Sequence, residues 1–226
     1  MICIVGYGNM GKRYGAICRN LDIDYIAVDE NDEIPLDKKF YIISTPTDTH
    51  TAILQSLIIS VDEPANFLVE KPISKNPQHL DVCINLIQRY YHNVYMVNNY
   101  AYYDFALPKA GGLTVYDYYN SGRDGLAYDC IQLIHLADGE VKLGNDNPIW
   151  KCKINGLHMN REKVDWCYIR MIEDFYSEGK KYGKLWGVDD IIAAHNKVMA
   201  YEKSLNSNTG KKLLDKIAQK VQQVCW

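Results

Sequence analysis

Three glycines near the start of the chain have the spacing of a phosphate-binding turn. Gly6, Gly8 and Gly11 form the pattern G-x-G-x-x-G directly after an apolar run and at the start of a helical one. The first glycine of such a turn permits a tight bend, the second lets the backbone approach a pyrophosphate, and the third lets helix and strand pack closely. The helix N-terminus at Asn9 and Met10 would offer N–H groups to the phosphates. The pattern predicts a dinucleotide site.

An acidic residue ends the second apolar run, at about the distance from the glycines where a ribose-binding acid is expected. This residue is Asp29, in the segment YIAVDEND. A carboxylate at this place accepts hydrogen bonds from a ribose 2′-OH and repels a 2′-phosphate, so NAD is favoured over NADP as the cofactor. A solvated acid in a turn is the alternative, because the whole segment is acidic.

The segment STPTDTH, residues 44–50, follows the third apolar run. Pro46 lacks an N–H and ends the strand, and Thr47 or Asp48 is placed to cap a helix that begins near Thr49. Ligands bind at the carboxyl end of such sheets. The candidate cofactor contacts in this segment are therefore Ser44, Thr45, Pro46, Thr47 and His50. A plain strand–turn–helix also accounts for the caps, and His50 would then be a half-exposed helix residue.

The segment VEKPIS, residues 69–74, places two charged residues at the end of the fourth apolar run. Pro72 has no N–H for a sheet ladder, so Glu70 and Lys71 lie where the chain leaves the sheet. A charged side chain at that point is either solvated or takes part in binding or catalysis. If the strand geometry continues, Glu70 points away from Lys71 and is either structural or in contact with the ribose next to the nicotinamide.

The elements that position these motifs alternate over the first hundred residues. Strands are predicted over residues 2–6, 25–29, 40–45, 67–70 and 94–98, and helices over residues 9–20, 49–59 and 77–91. Strand–helix–strand alternation predicts a parallel Rossmann-type sheet with right-handed crossovers and helices on both faces. All the motifs above then lie at one edge of that sheet.

Residues beyond 100 follow a different pattern. Alternation predicts strands at residues 113–122 and 150–159, the first of them antiparallel, and helical spacing covers residues 125–137, 163–177, 188–205 and 211–224. We therefore predict an α/β chain with two domains, a dinucleotide-binding domain over residues 1–100 and a reduced α+β domain over residues 101–226. A hinge is expected near residues 100–112.

The composition of the chain argues against several classes of partner and of site. Apolar residues make up 47% of the 226, which is ample for a core, and a net charge of −3 provides no basic face for nucleic acid. No apolar run reaches the length of a membrane span, and the N-terminus lacks the features of a signal peptide, so a cytoplasmic protein is expected. Seven cysteines without a C-x-x-C pair, and histidines without ligand spacing, argue against a disulfide framework or a metal site.

Three motifs, GYGNMGKRYGA, STPTDTHTAIL and VEKPIS, resemble in their order and spacing those of the glucose–fructose oxidoreductase and inositol dehydrogenase family, often written Gfo/Idh/MocA. The family's motifs are G-x-G-x-x-G, T-P-x-x-x-H and E-K-P, and all three match within residues 1–100. By this resemblance the chain is identified as a shortened member, with an NAD(P)-binding Rossmann domain and a substrate domain reduced from the family's large open sheet. A shortened sheet that needs cover favours a homodimer or larger homo-oligomer.

The resemblance also assigns a catalytic helix. The segment GLAYDCIQLIHLAD is similar to the family's helix in which a catalytic histidine is followed three residues later by an aspartate, here His135 and Asp138. Many relatives also have an aspartate four residues before the histidine, where this chain has Ile131. The sequence departs from the family's pattern at that position.

The chemistry implied by the resemblance is hydride transfer assisted by a base. Lys71 would stabilise the developing alkoxide, His135 would remove the hydroxyl proton, and Asp138 would orient the imidazole or contact the substrate. The substrate contacts implied are Lys71, Asn98, Tyr100 and His135.

Three functions remain open at this point. The leading one is an NAD(P)-dependent oxidoreductase that acts on a hydroxyl or keto group of a sugar, sugar nucleotide or cyclitol. The second is a reductase of another group, similar to the biliverdin reductase branch of the family. The third is a truncated relative that binds a dinucleotide or a sugar without turning it over.

Overall fold

Five parallel strands form the central sheet. The computed structural model describes residues 1–102, 118–119, 131–136, 143–144, 153–154, 157–158 and 161–206. The strands, in the spatial order β2-β1-β3-β4-β5, are β1 Ile2–Val5, β2 Tyr25–Val28, β3 Phe40–Ile43, β4 Asn66–Val69 and β5 Asn93–Met96. Each predicted strand is present, and each ends one or two residues earlier than predicted. The predicted parallel Rossmann-type sheet is therefore confirmed.

Burial explains why these short runs form strands. Every residue of β1, β3 and β4, the three inner strands, is buried, whereas the edge strand β2 is half-buried over three of its four residues. Parallel sheets covered on both faces favour such continuous apolar runs. Register aligns the strands so that Val5, Ile43 and Val69 lie side by side at the carboxyl ends. The segments that follow these residues carry the predicted motifs.

Three helices connect the strands. They are α1 Asn9–Asn20, α2 His50–Ser60 and α3 Pro77–Arg89. The predicted side-chain cap of α2 is wrong, because no side chain caps that helix. A 3-10 turn, Thr47–Thr49, leads into α2 instead, and the N–H of Thr49 donates to the carbonyl of Pro46 at 2.9 Å.

The later part of the chain is described in pieces. A 3-10 turn, Asn99–Tyr102, follows β5, and the further elements are β6 Tyr118–Tyr119, α4 Ile131–Leu136, β7 Leu143–Gly144, β8 Lys153–Ile154, β9 Leu157–His158, α5 Arg161–Tyr176 and α6 Val188–Asn206. Strand β6 pairs in parallel with β7, so the antiparallel expectation for this segment is wrong, whereas β8 and β9 form an antiparallel pair. The helix predicted over residues 211–224 lies outside the described residues.

Helices α5 and α6 pack against the Rossmann sheet. The ring of Phe175 on α5 meets those of Phe40 and Tyr95 edge to face at centroid distances of 5.5 and 6.2 Å. The backbone of Trp186, just before α6, pairs with that of Met96 in β5. None of the helices in the described ranges combines the length and apolar character that crossing a membrane requires.

The strand order places a crevice at one point of the sheet. Going outward from β1, the chain runs to β2 on one side and to β3, β4 and β5 on the other. Ligands of open parallel sheets bind at the carboxyl ends of the strands where this order reverses. Here that point lies between the segment after β1, which begins at Gly6, and the segment after β3, which begins at Ser44.

Candidate active site

In the turn after β1, two of the three glycines have no room for any side chain larger than hydrogen. Gly6 has a φ of +89°, and a Cβ there would lie 2.7 Å from Thr45 Cγ2 and 2.8 Å from Thr45 N. A Cβ at Gly11 would lie 2.1 Å from the carbonyl oxygen of Gly6. The turn therefore presses against both its own helix and the segment after β3, as the predicted roles of these two glycines require.

The middle glycine faces open space. A Cβ at Gly8 would meet no atom of the described residues within 4 Å. Gly8 precedes α1, whose N-terminus has no side-chain cap and no acid in its first turn. Helix α3 differs, because the side-chain oxygen of Asn76 accepts hydrogen bonds from the N–H groups of Gln78, at 2.9 Å, and His79. The predicted contacts Asn9 and Met10 thus begin a helix that has no side-chain cap from its N-cap residue, Gly8, and whose first N–H groups could bind an anion.

The segment after β3 forms the other wall of the crevice. The N–H of Ser44 donates to the carbonyl of Val5 and its hydroxyl to the carbonyl of Gly6, both at 2.8 Å. The hydroxyl of Thr49 donates to the carbonyl of Pro46 at 2.7 Å and lies 2.8 Å from the hydroxyl of Thr45. Thr47 is half-buried at the start of the 3-10 turn. The predicted residues 44–47 therefore lie beside the glycine turn.

Asp29 lies directly after β2, on the surface, among other acids. Its N–H donates to Oδ2 of Asp32 at 2.8 Å, and its Oδ1 accepts from the N–H of Glu30 at 3.2 Å. Glu30, Asp32 and Glu33 are exposed beside it. This acidic turn stands next to the crevice and has the charge that would disfavour a 2′-phosphate.

His50 is buried between two segments of the site. Its side chain is 1% exposed, with Nε2 2.8 Å from the carbonyl oxygen of Thr45 and Nδ1 2.9 Å from that of Pro72. The ring thereby connects the wall of the crevice to the residue after Lys71. Both ring nitrogens face protein carbonyls, so any contribution of His50 to cofactor binding is made through these two segments.

Glu70 is a buried structural carboxylate. The hydroxyl of Tyr14, on α1, donates to its Oε1 at 2.5 Å, and the N–H of Lys71 donates to its Oε2 at 3.1 Å. Burial raises the pKa of Tyr14 well above its usual value, and the adjacent Glu70 raises it further. The ring of Tyr14 also meets that of Tyr168 on α5 edge to face at 6.1 Å. These contacts tie the end of β4 to α1 and α5.

Lys71 is half-buried, and the peptide bond that joins it to Pro72 is cis. The loop that continues from it lies near α6. Burial lowers the pKa of His195 on α6, whereas hydrogen bonds with the backbone of Ile191 and of Ser74 raise it. Helix α6 therefore reaches the loop that follows Lys71, and it also packs against α4, the helix that carries His135.

Buried amides gather after β5. The Nδ2 of Asn98 donates to the carbonyl of Lys184, while its Oδ1 has no partner in the described part of the chain. Neither amide atom of Asn99 has a partner there, nor does Nε2 of Gln132, although Oε1 of Gln132 accepts from the N–H of Tyr100 at 3.4 Å. Buried polar atoms without partners are costly and are commonly found at binding sites or around ordered water.

His135 lies next to one aromatic ring and two charged side chains. Its ring meets that of Trp186 at a centroid distance of 4.5 Å, and its Nε2 lies 3.9 Å from Oδ1 of Asp190. The Nζ of Lys197 donates to its carbonyl at 2.8 Å. Burial and the charge of Lys197 lower the pKa of His135, and Asp190 opposes them. A neutral imidazole suits a general base. Asp138, its predicted companion, lies outside the described residues.

A second buried carboxylate holds the strap formed by residues 180–186. Oδ1 of Asp174 accepts from the N–H of Tyr182 at 2.8 Å, and Oδ2 accepts from the N–H of Lys184 at 3.0 Å and from the hydroxyl of Tyr102 at 2.7 Å. The strap carries the carbonyl that binds Asn98 and ends at Trp186, which packs against His135. Asp174 therefore supports both of these predicted site residues from a distance.

Solved structures supply the comparison with known proteins. The chain is similar to the myo-inositol dehydrogenase of Corynebacterium glutamicum, with a TM-score of 0.65 and 14% identity, over 90% of this chain and 95% of that one. It is also similar to a Gfo/Idh/MocA family oxidoreductase of Vibrio cholerae, with a TM-score of 0.63 and 12% identity, over 98% and 99% of the two chains. The WlbA (WbpB) dehydrogenase of Thermus thermophilus, solved in complex with NAD and UDP-GlcNAcA, matches with a TM-score of 0.60 and 12% identity, over 87% and 92%.

These likenesses establish the fold. The chain shares the α/β architecture of Gfo/Idh/MocA-type dehydrogenases at low sequence identity. No protein-family model matches the sequence, and a comparison with curated proteins finds no match either.

Sequence patterns do not distinguish several residues that the structure places around the site. Tyr14 and Trp186 are typical of core aromatics, and Asp190 is typical of an acid in the first turn of a helix. At Ile131 the sequence departs from the pattern of the resembled family, and nothing in the sequence points to Asp190 as a neighbour of His135.

Proposed function

We propose that the protein is a nicotinamide-dependent oxidoreductase that transfers a hydride between NAD and a hydroxyl or keto group of a sugar, sugar nucleotide or cyclitol. The observation that carries the proposal is the glycine turn. Two glycines there have no room for a side chain, and the third, Gly8, opens onto the uncapped N-terminus of α1. Neighbours in fold that bind NAD and a nucleotide sugar, or act on myo-inositol, support the substrate class.

Each part of the chain has a role in this proposal. The turn from Gly6 to Gly11 would hold the pyrophosphate, with Asn9 and Met10 offering N–H groups, and Asp29 would accept from a ribose hydroxyl. Residues 44–47 would form the second wall against the cofactor. The nicotinamide ring would supply the hydride acceptor when bound. NAD is proposed over NADP because of the acidic turn at Asp29.

The chain's own residues would manage the substrate oxygen. Lys71 follows the buried carboxylate of Glu70 and would place its ammonium beside that oxygen, where negative charge develops as the proton leaves. His135, whose pKa is lowered by burial, would take the proton. Asn98 and Tyr100 are proposed to contact the substrate near these two groups.

Binding of the dinucleotide tests the proposal first. Gly8→Ala adds a methyl group that meets no atom within 4 Å in the part of the chain that the structure describes, so stability should stay unchanged while the pyrophosphate is obstructed. The Kd for NADH, measured by calorimetry, should rise by about tenfold or more, which is about 1.4 kcal/mol. Gly187→Ala is the matched control, because a Cβ at Gly187 also meets none of the described atoms within 4 Å and lies outside the glycine turn. Unchanged NADH affinity in Gly8→Ala would contradict the proposed cradle.

Turnover tests the second half of the proposal. Reduction of NAD is followed by absorbance with myo-inositol and with UDP-N-acetylglucosamine as substrates, and Lys71→Met should abolish it without weakening NADH binding. A wild-type protein that binds NADH but turns over no sugar, cyclitol or nucleotide sugar would instead favour a dinucleotide-binding module. A protein that binds neither NADH nor NADPH would be neither an oxidoreductase nor such a module.

A further inference from the structure

The imidazole of His135 has one carboxylate within ion-pair distance in the described part of the chain. Oδ1 of Asp190 lies 3.9 Å from Nε2 of His135, and the His135 side chain is 16% exposed while that of Asp190 is 47% exposed. Asp190 is the third residue of α6 and comes from a different segment of the chain than the histidine. The contact therefore depends on the packing of α6 against α4.

The residue one turn before His135 cannot provide this charge. Ile131 is fully buried and aliphatic, so the described part of α4, Ile131–Leu136, offers no carboxylate on that side. The other ring nitrogen, Nδ1, is buried and has no partner among the described residues. A carboxylate near Nε2 favours the tautomer with its hydrogen on Nε2 and leaves the lone pair on Nδ1.

We propose that Asp190 is a positioning residue that holds His135 in the Nε2–H tautomer and stabilises the imidazolium formed when Nδ1 takes the substrate proton. The proposal rests on the oxidoreductase function proposed above. In the oxidation step the substrate O–H bond breaks and its proton moves to Nδ1. The hydride on the same carbon passes to NAD⁺, which is reduced to NADH, and the carbon–oxygen bond becomes a carbonyl.

The charges around the ring act in opposite directions. Lys197 on α6 donates to the backbone carbonyl of His135 and disfavours the imidazolium, whereas Asp190 favours it. Trp186 supplies an aromatic edge contact without a charge. Burial has the largest effect, and it lowers the pKa of His135, which favours the neutral ring. Removing Asp190 should therefore lower the pKa of His135 further, and removing the charge of Lys197 should raise it.

The chain offers a matched control beside Asp190. Asp189 is an exposed acid in the same first turn of α6, so Asp189→Asn removes the same charge from the same helix end as Asp190→Asn. Both variants lose a similar interaction with the helix dipole, and their melting temperatures should agree. The two differ in the contact with His135.

The experiment is an NMR titration of the His135 ring together with pH profiles of kcat/KM. Asp190→Asn should lower the pKa of His135, move the acidic limb of the oxidation profile to lower pH, and reduce kcat about tenfold with NADH affinity unchanged. Asp190→Glu should restore most of kcat, and Asp189→Asn should match the wild type. An unchanged or higher pKa in Asp190→Asn, or an equal effect of Asp189→Asn, would overturn the pairing.

Failure of the pairing and failure of the proposed function are distinguishable, because the titration needs no substrate. If Asp190→Asn shifts the His135 titration but the wild type turns over no sugar, cyclitol or nucleotide sugar, the proposed function and the positioning role of Asp190 in it are both overturned. If the wild type turns over substrate and the titration is unmoved, the inference about Asp190 alone is overturned.

Discussion

Nδ1 of His50 lies 2.9 Å from the carbonyl oxygen of Pro72, although the two residues belong to different crossovers of the sheet. The opposite ring nitrogen lies 2.8 Å from the carbonyl oxygen of Thr45. The imidazole therefore joins the segment beside the glycine turn to the segment that carries Lys71. One buried side chain thus contacts both the proposed cofactor wall and the segment of the proposed catalytic lysine.

Replacing His50 should separate catalysis from cofactor binding. His50→Gln retains a donor but cannot reach both carbonyls with the geometry of the ring, so the Lys71 segment loses its tie. We expect kcat to fall by about tenfold, which is about 1.4 kcal/mol, while the Kd for NADH changes much less. Steady-state kinetics and calorimetry together measure this difference.

The control for this prediction is another buried histidine. His92 accepts from the N–H of Ala65 and lies 3.1 Å from the carbonyl oxygen of Ile58, before β5 and so at the opposite edge of the sheet. His92→Gln should cost a similar amount of stability and leave kcat near the wild-type value. Equal losses of kcat in both variants would show that His50 acts through stability alone.

Replacing Asn99 should impair substrate binding without lowering the stability of the fold. Both atoms of its side-chain amide are buried without a partner in the described ranges, and such groups cost about 1–3 kcal/mol each. Asn99→Leu is therefore expected to leave the free energy of unfolding in urea unchanged or raised. Substrate KM should increase if the amide serves the proposed substrate site.

A buried amide that does have a hydrogen-bond partner, that of Asn66, provides the control for the unfolding measurement. Asn66 is also buried, but its Oδ1 accepts from Nδ2 of Asn93 at 3.0 Å. Asn66→Leu removes that acceptor and should destabilise the protein. If Asn99→Leu proves equally destabilising, the amide of Asn99 binds an internal water and has no role in substrate binding.

Local patterns predict much of the fold because they are short-range signals. The runs ICIV and FYII are apolar throughout and form the inner strands β1 and β3, and Asn76 followed by proline marks the start of α3. The start of α2 is the exception, because its first turn is a 3-10 turn without a side-chain cap. The sequence contains the cap residues, but tertiary packing places them differently.

Local patterns do not predict hydrogen bonds between residues that are far apart in the sequence. Tyr14 binds Glu70 from 56 residues away, and Tyr102 binds Asp174 from 72 residues away. Neither partner can be chosen from spacing, because each pair depends on how α1 and α5 pack against the sheet and the turn after β5. The resemblance of the motifs predicts where the site lies, and packing determines which side chains surround the predicted residues.

Asp29 should control the choice between the two nicotinamide dinucleotides. Its carboxylate would accept from the ribose 2′-OH of NADH and repel the 2′-phosphate of NADPH, so Asp29→Ser removes both effects. We expect the ratio of the Kd for NADPH to that for NADH to fall by about tenfold, most clearly at low salt. Glu30→Gln, a change in the adjacent exposed acid, should have a smaller effect. A ratio that Asp29→Ser leaves unaltered would remove Asp29 from the cofactor site.

Asp174 should make the protein's stability depend on acid pH. Burial raises its pKa, but the N–H groups of Lys184 and Tyr182 and the hydroxyl of Tyr102 outweigh burial, so the folded-state pKa lies below the usual value. A carboxyl whose pKa is lowered by folding stabilises the native state above its unfolded pKa of about 3.9, and this contribution is lost as pH falls through the folded pKa.

The variant Asp174→Asn tests this dependence. Its amide cannot accept all the hydrogen bonds that the carboxylate accepts, so we expect a loss of about 2–4 kcal/mol at pH 7 in urea unfolding. The difference from the wild type should shrink as pH falls below about 4, because the carboxyl of Asp174 in the unfolded wild-type chain then binds a proton, and the native carboxyl is neutralised only as pH falls further, through its lowered pKa. Glu173→Gln, which alters the more exposed neighbouring acid paired with Lys181, should lose far less stability at pH 7. A difference between wild type and Asp174→Asn that stays constant from pH 7 to pH 3 would show that the charge of Asp174 is not what holds the strap.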